Sequence, residues 1–203
     1  SEREEFWQSV WDQCGIVGTM GSVVLEQGDA MPGARFFPEA RLNFAENLLA
    51  GDDADIAVIE TGEDGVGREV TLAQLRQRVA GAQQALRALG VGEGDRVAGL
   101  MPNTLDTLVL VLATASIGAI WSACAPEFGV NGVLDRFGQI EPKVLVAVPR
   151  YRYNGRQHDI GERVAEIANK LNVAHLLLCG DGEAPGANVP GQRLDDLARG
   201  APA

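Results

Sequence analysis

Apolar residues in this chain recur with two periods, and the change from one to the other marks out its elements. Between Arg96 and Val148 the segments RVAGLMPN, TLDTLVLVLATASIGAIWSACAPEFG, VNGVLDRFGQIEP and KVLVAV follow one another. The first and last are short apolar runs bounded by turn residues, and the two between carry helix-type spacing, which predicts strand, helix, strand, helix, strand. Arg96 to Asn103 is the first strand, and a helix begins near Thr104. Ile120 to Cys124 is the second strand, Ala125 to Gly129 a loop, and Val130 to Ile140 a helix ending before Pro142. Lys143 to Val148 is the third strand. Because these strands read as continuous Val, Leu and Ala instead of alternating, both their faces are buried, the mark of a parallel sheet. The predicted fold class is α/β, a parallel sheet flanked by helices on both faces.

The flanking sequence adds a second kind of element. DIAVIE (Asp55–Glu60) and REVT (Arg68–Thr71) surround TGEDGVG, which has the composition of a hairpin loop. Those glycines are no phosphate cradle, which needs a strand before and a helix after. Thr71 caps a helix whose Leu72, Leu75, Val79, Ala82, Leu86 and Leu89 make one apolar face, with Gly90 as the stop. The following GVGEGD lies between a helix and a strand, the reverse of a dinucleotide fingerprint, and reads as a turn. Downstream come a helix from about Asp159 to Leu171, the strand HLLLCG, and a tail rich in Gly, Pro and Ala with one weak amphipathic turn, RLDDLARG. At the front, Phe6, Val10 and Cys14, with Trp7 and Trp11, give one side of a helix from Glu4 to Cys14 that needs a surface to cover. Gly15 to Leu49 is irregular, with a short helix in ARLNFAENLLAG stopped by Gly51. Residues 1–54 are therefore expected to form an N-terminal helical arm wrapping the domain, and 55–203 an α/β subdomain.

Composition narrows the function. With 46% hydrophobic and 22% charged residues among 203, the chain can bury a substantial core. A net charge of -11 excludes a nucleic-acid partner or an anionic membrane surface, both of which require a basic face. Cys14, Cys124 and Cys179 are widely spaced and share no pattern with His158 and His175, so reduced, packing thiols and no metal site are expected. The uncharged run Thr107–Pro126 is long enough to span a bilayer, but Asp106 and Glu127 flank it and Gly118 interrupts it, so a buried helix followed by a buried strand is the better reading. The charged N-terminus has no leader pattern, and a cytoplasmic location is expected.

Candidate chemistry gathers after two strands. Met101-Pro102-Asn103 falls at a strand's carboxyl end, where open α/β sheets collect ligands, though a Pro-Asn turn starting a helix is the better reading of it. Pro149 to Arg156 (PRYRYNGR) is predicted to be a loop and is the only dense basic and aromatic cluster in an acidic chain. Its arginines either grip phosphates through their guanidinium forks or meet the protein's own carboxylates, and the residues alone leave both open.

FFPEARLNFAENLLAG, GDRVAGLMPNTLDTLVLVLATASIGAIWSACAPEFGVNGVLDRFGQIEPKVLVAV and RYNGR together resemble the acetoacetate–CoA ligase family of the acyl-adenylate-forming superfamily. The resemblance covers almost the whole chain. PEFGVNGVLDRFGQIEPKVL is its most specific segment and separates this group from acetate and propionate relatives. It implies a two-step reaction in which ATP and acetoacetate form an acyl-adenylate with release of pyrophosphate, and the CoA thiol then displaces AMP. Such enzymes use ATP, CoA and Mg, and grip the ATP with a Ser/Thr/Gly-rich loop carrying a Lys.

Neither Lys143 nor Lys170 lies in such a context, so the resemblance implies the front portion of a longer ligase, inactive alone and with no catalytic residue. Its partners would be its substrates and the remainder of the same polypeptide, with self-association through an exposed apolar face as a consequence. CoA is the one ligand this portion could hold. By resemblance Tyr153, Asn154, Gly155 and Arg156 face the nucleotide end of CoA. Acetate-type relatives carry an Arg at the position of Tyr153, for which Arg152 would substitute. The alternatives are a ligase for another short carboxylate, such as acetate or propionate, or a non-catalytic nucleotide- or CoA-binding α/β domain. A nicotinamide or flavin oxidoreductase would need a glycine fingerprint that is not in place.

Overall fold

The computed structural model describes residues 1–63, 65 and 67–199. The chain divides into two compact units, Ser1–Ala50 and Gly51–Ala203. In the first, α1 (Glu2–Gln13) is followed by short strands β1 (Gly18–Thr19), β2 (Leu25–Glu26), β3 (Arg35–Phe36) and β4 (Arg41–Leu42), then by α2 (Phe44–Leu48). β1 pairs with β4 and β2 with β3, both antiparallel. The aromatic side of α1 is partly covered within this unit: Trp7 packs edge-on against Phe36 and Trp11 tilted against Phe37, at centroid distances of 5.4 and 5.1 Å, while Phe6 and Trp7 stay exposed. Asn43 caps α2, its side chain accepting from the Ala45 and Glu46 N–H groups.

The second unit opens with the antiparallel hairpin of β5 (Ile56–Thr61) and β6 (Gly67–Thr71). Helix α3 (Leu72–Ala88) starts from a reciprocal capping box between Thr71 and Gln74 and buries the face its spacing predicts, from Leu72 to Leu89. Then come β7 (Arg96–Leu100), α4 (Leu105–Ser116), β8 (Ile120–Cys124), α5 (Val130–Phe137) and β9 (Val144–Ala147). After these follow β10 (Arg150–Tyr153), β11 (Arg156–Asp159), α6 (Gly161–Leu171), β12 (His175–Leu178), β13 (Gly191–Arg193) and α7 (Leu194–Arg199).

Five strands form one parallel sheet in the order β13-β12-β9-β7-β8. The side chains of β7, β9 and β12 alternate between two covered faces, whereas the edge strand β8 buries only Cys124 and leaves Ile120 exposed. The expectation of burial on both faces thus holds for the inner strands and not for Ile120–Cys124. Ala98, Leu100, Leu145, Ala147, Leu176 and Leu178 point to one core cluster, closed by Val133 and Phe137 of α5 and by Val164 and Ile167 of α6. Helices α3, α4 and α7 pack together as the other layer. The α/β fold with helices on both faces is thus the observed one. No helix among the described residues is long and apolar enough to cross a membrane; the run from Thr107 to Pro126 is divided between α4 and β8, with Gly118 at φ +72° between them.

Two stretches differ from their sequence reading. Residues 149–156 are not a loop: Arg150 to Asp159 fold as the β10–β11 hairpin, so Arg152, Tyr153 and Arg156 lie on strands and only Asn154 and Gly155 form the turn. The tail is more than a weak turn. It supplies β13, which extends the sheet through backbone pairing alone, and α7 beside α3.

Cys14 is exposed, while Cys124 and Cys179 are buried, and burial pushes the Cys179 thiol up to about 12 and the Cys124 thiol in the same direction. Brief alkylation of the native protein at about pH 8, read by peptide mapping, is expected to modify Cys14 and spare both others, because only a thiolate reacts. Labelling of Cys179 at a comparable rate would show that the end of β12 is open to solvent.

Candidate functional site

Sheet order fixes where a ligand crevice can lie. From β7 the chain crosses to β8 on one side through α4, then returns past β7 to β9 and on to β12 through α5 and α6 on the other face. The direction of winding therefore reverses between the adjacent strands β7 and β9. In open α/β sheets the crevice outside the carboxyl ends of two such strands is the ligand site. The residues there are Met101, Pro102 and Asn103 after β7, and Val148 and Pro149 after β9. Thr107 Oγ1 donates to the Pro102 carbonyl at 2.6 Å and so ties this turn to α4, the structural role of a helix start.

The β10–β11 hairpin rises directly from the β9 side of the crevice. Ile160 N–H donates to the Pro149 carbonyl at 2.8 Å and closes its base, where Arg150 Nε also meets Asp159 at 2.8 Å. That guanidinium, with the Gly161 N–H, holds the Asp159 carboxyl below its ordinary range. Four residue pairs form the ladder, and Asn154 (φ +51°) with Gly155 (φ +71°) makes the two-residue turn that Asn-Gly favours, both residues in the left-handed region.

Alternation along the ladder sorts the candidate residues onto two faces. Tyr151, Tyr153, Arg156 and His158 share one face, with the Tyr151 and His158 rings stacked at 5.1 Å. Arg150, Arg152, Gln157 and Asp159 share the other, which borders a recess of about 450 Å³ reaching Asp181. The structure thus brings Tyr153 and Arg156 together and sets Arg152 on the opposite side. Among the described residues, Arg150 has its carboxylate, whereas Arg152 and Arg156 are exposed and form no ion pair. Among the described residues the self-neutralising reading of this cluster is therefore seen at Arg150 and not at the other two.

The acidic partners near the crevice come from the β5–β6 hairpin, which gives no chemical signal in the sequence. Glu60 accepts from the Leu105 N–H at the start of α4 at 2.8 Å and pairs with Arg68. Glu63 accepts from the N–H groups of both Asn154 and Gly155, at 2.6 and 2.8 Å. Only the fold brings these positions together. Neither lysine stands near: Lys143 precedes β9 at the amino edge of the sheet and pairs with Asp95, and Lys170 ends α6 and pairs with Glu166. No group of three or more His, Cys, Asp or Glu among the described residues is arranged to hold a metal ion.

Residues 48–196 match the family described as AMP-binding enzyme. Over 193 residues the chain is 50% identical to an acetoacetyl-coenzyme A synthetase of Rhizobium meliloti (strain 1021), a match that covers 94% of this chain and 30% of that protein. It is 43% identical to a malonamoyl-CoA synthetase of Penicillium aethiopicum, covering 84% of this chain and 25% of the relative. Among solved structures, the acetoacetyl-CoA synthetase from Streptomyces lividans superposes with a TM-score of 0.89 at 38% identity, over 100% of this chain and 32% of that one. The chain thus spans about a third or less of each of these proteins.

The turn is open to a direct check. A Cβ on Gly155 meets no atom within 4 Å, so Gly155→Val costs only its left-handed conformation, about 1–2 kcal/mol. Because the hairpin stands outside the five-stranded sheet, faster amide exchange at Tyr153 and Arg156 with an unchanged global unfolding midpoint is expected.

Proposed function

The chain belongs to the family of AMP-binding enzymes, and from that membership we propose that it serves in an acid–thiol ligase. This ligase activates acetoacetate with ATP as an acyl-adenylate, releasing pyrophosphate, and then transfers the acyl group to CoA. The observation that carries the part assigned to this chain is the pair of exposed arginines, Arg152 and Arg156, that have no carboxylate partner among the described residues and stand near the tip of a hairpin beside the switch-point crevice. Their role is to capture the anionic end of CoA. Arg156, paired across the ladder with Tyr153, takes a phosphate; its charge-assisted contact is worth roughly 1.5–3 kcal/mol. Arg152, on the far face beside the recess that includes Gly155, meets a second anionic group or the edge of the nucleotide. Asn154 and Gly155 contribute the turn that sets these two side chains apart.

The fit differs for the other groups such a ligase uses. CoA fits the residues present. ATP and Mg do not: both lysines sit in ion pairs with the protein's own carboxylates, Lys143 at the amino edge of the sheet. No adenylation step is therefore assigned to this chain's residues, and this portion alone is expected to catalyse neither half-reaction.

The acyl group rests on likeness. Both the acetoacetyl relatives and the malonamoyl relative act on acids with a second carbonyl at the β position, which favours acetoacetate or a close analogue over acetate. Carboxylate-dependent exchange of pyrophosphate into ATP by the full-length protein is expected with acetoacetate and weak with acetate; no exchange with either would overturn the ligase reading. In the same protein Arg156→Ala is expected to raise the KM for CoA by about ten- to a hundredfold while leaving the exchange reaction intact.

A further inference from the structure

We infer that Glu63 is a positioning residue for CoA capture, holding the β10–β11 hairpin so that Arg152 and Arg156 face their ligand; the inference rests on the CoA reading of that hairpin. Among the described residues β10 and β11 pair only with each other. An isolated two-stranded ribbon is marginally stable in water, so a tip that must present two guanidinium groups in a fixed direction needs an outside anchor. Glu63 supplies it. With Asn154 and Gly155 both left-handed, their N–H groups aim the same way, and one carboxylate accepts both, at 2.6 and 2.8 Å. Hydrogen bonds to an ionised acceptor are roughly twice as strong as neutral ones.

The anchor is itself held. Three residues earlier in the β5–β6 hairpin, Glu60 accepts from Leu105 N–H at the start of α4 and pairs with Arg68, both at 2.8 Å. One hairpin thus bridges the two sides of the crevice, fixed to the β7 side by Glu60 and reaching the β9 side by Glu63. The Glu63 charge is engaged by the turn amides, so its part is to order the guanidinium groups before the ligand arrives. Without it, CoA binding would have to supply that ordering, a cost that appears as weaker capture.

Two measurements on the full-length protein test this. Glu63→Ala is expected to raise the KM for CoA about three- to tenfold, with pyrophosphate exchange and the KM for ATP within twofold of the parent. Glu63→Gln, which keeps one acceptor oxygen, should fall between the two. Hydrogen exchange of residues 150–159 should quicken in the same order. Equal losses in both half-reactions would mean a general structural role and overturn the inference, and so would a lower KM for CoA, which would make Glu63 a competitor of the ligand. The two readings fail separately: no effect of Arg156→Ala on CoA removes the hairpin as its site and the inference with it, whereas an effect at Arg156 and none at Glu63 overturns the positioning role alone.

Discussion

The pairing of β7 with β9 governs the carboxyl end of this molecule. Val97, Val144, Leu145 and Val146 are fully buried, so these strands must be covered from both faces. Right-handed crossovers can do that only by sending α4 one way and α5 with α6 the other. The chain then diverges on opposite faces at the ends of β7 and β9, leaving a gap that no helix of the sheet closes. Backbone polar groups at that gap still need partners. The Leu105 N–H and the two turn amides of Asn154 and Gly155 find them in Glu60 and Glu63, carboxylates of a separate hairpin. The topology that makes the crevice thus also calls for the hairpin that bridges it.

Charge distribution sharpens the point. With 28 acidic residues against 17 basic ones, no arginine lacks a carboxylate for want of supply. Arg35, Arg68, Arg76, Arg78 and Arg150 all pair with acids. Arg152 and Arg156 sit two and three ladder positions from the paired Arg150 and are exposed. A net charge of -11 repels anions at long range, so an anionic ligand has to be met by a local positive surface, and this hairpin provides one.

What the sequence discloses follows from how each element is stabilised. β7, β9 and α3 draw on side-chain burial, and burial leaves a pattern: the continuous run KVLVAV, or apolar residues three and four apart beginning at a Thr cap. β13 draws on backbone pairing with β12, and Gly191-Gln192-Arg193 carries no apolar residue to announce it. The β10–β11 hairpin lies between. Its Asn-Gly turn is a strong hairpin signal, but Arg-Tyr-Arg-Tyr facing Arg-Gln-His-Asp shows no apolar alternation, so its composition suggests an open loop. The arginine cluster is legible as candidate chemistry; the split of Arg152 and Arg156 between two faces depends on the ladder register, which the turn alone determines. Glu63, inside a glycine-rich turn, has nothing local to distinguish it. Its meaning is entirely tertiary, 91 residues from the amide it binds.

The two ends of the β10–β11 hairpin are held by different physics. At its base the constraint is steric: a Cβ on Gly161 would lie 2.2 Å from the Glu183 carbonyl, so the segment after β12 presses against the first turn of α6 as only glycine permits. The Arg150–Asp159 pair and the Ile160–Pro149 hydrogen bond add to it. At the tip the constraint is electrostatic, one carboxylate on two amides. Steric contact fixes position and tolerates little displacement, whereas charge-assisted hydrogen bonds through solvent-exposed groups can be exchanged for others of similar strength. On the CoA reading proposed above, a hairpin rigid at its root and electrostatically held at its tip keeps Arg152 and Arg156 in place before a phosphate arrives.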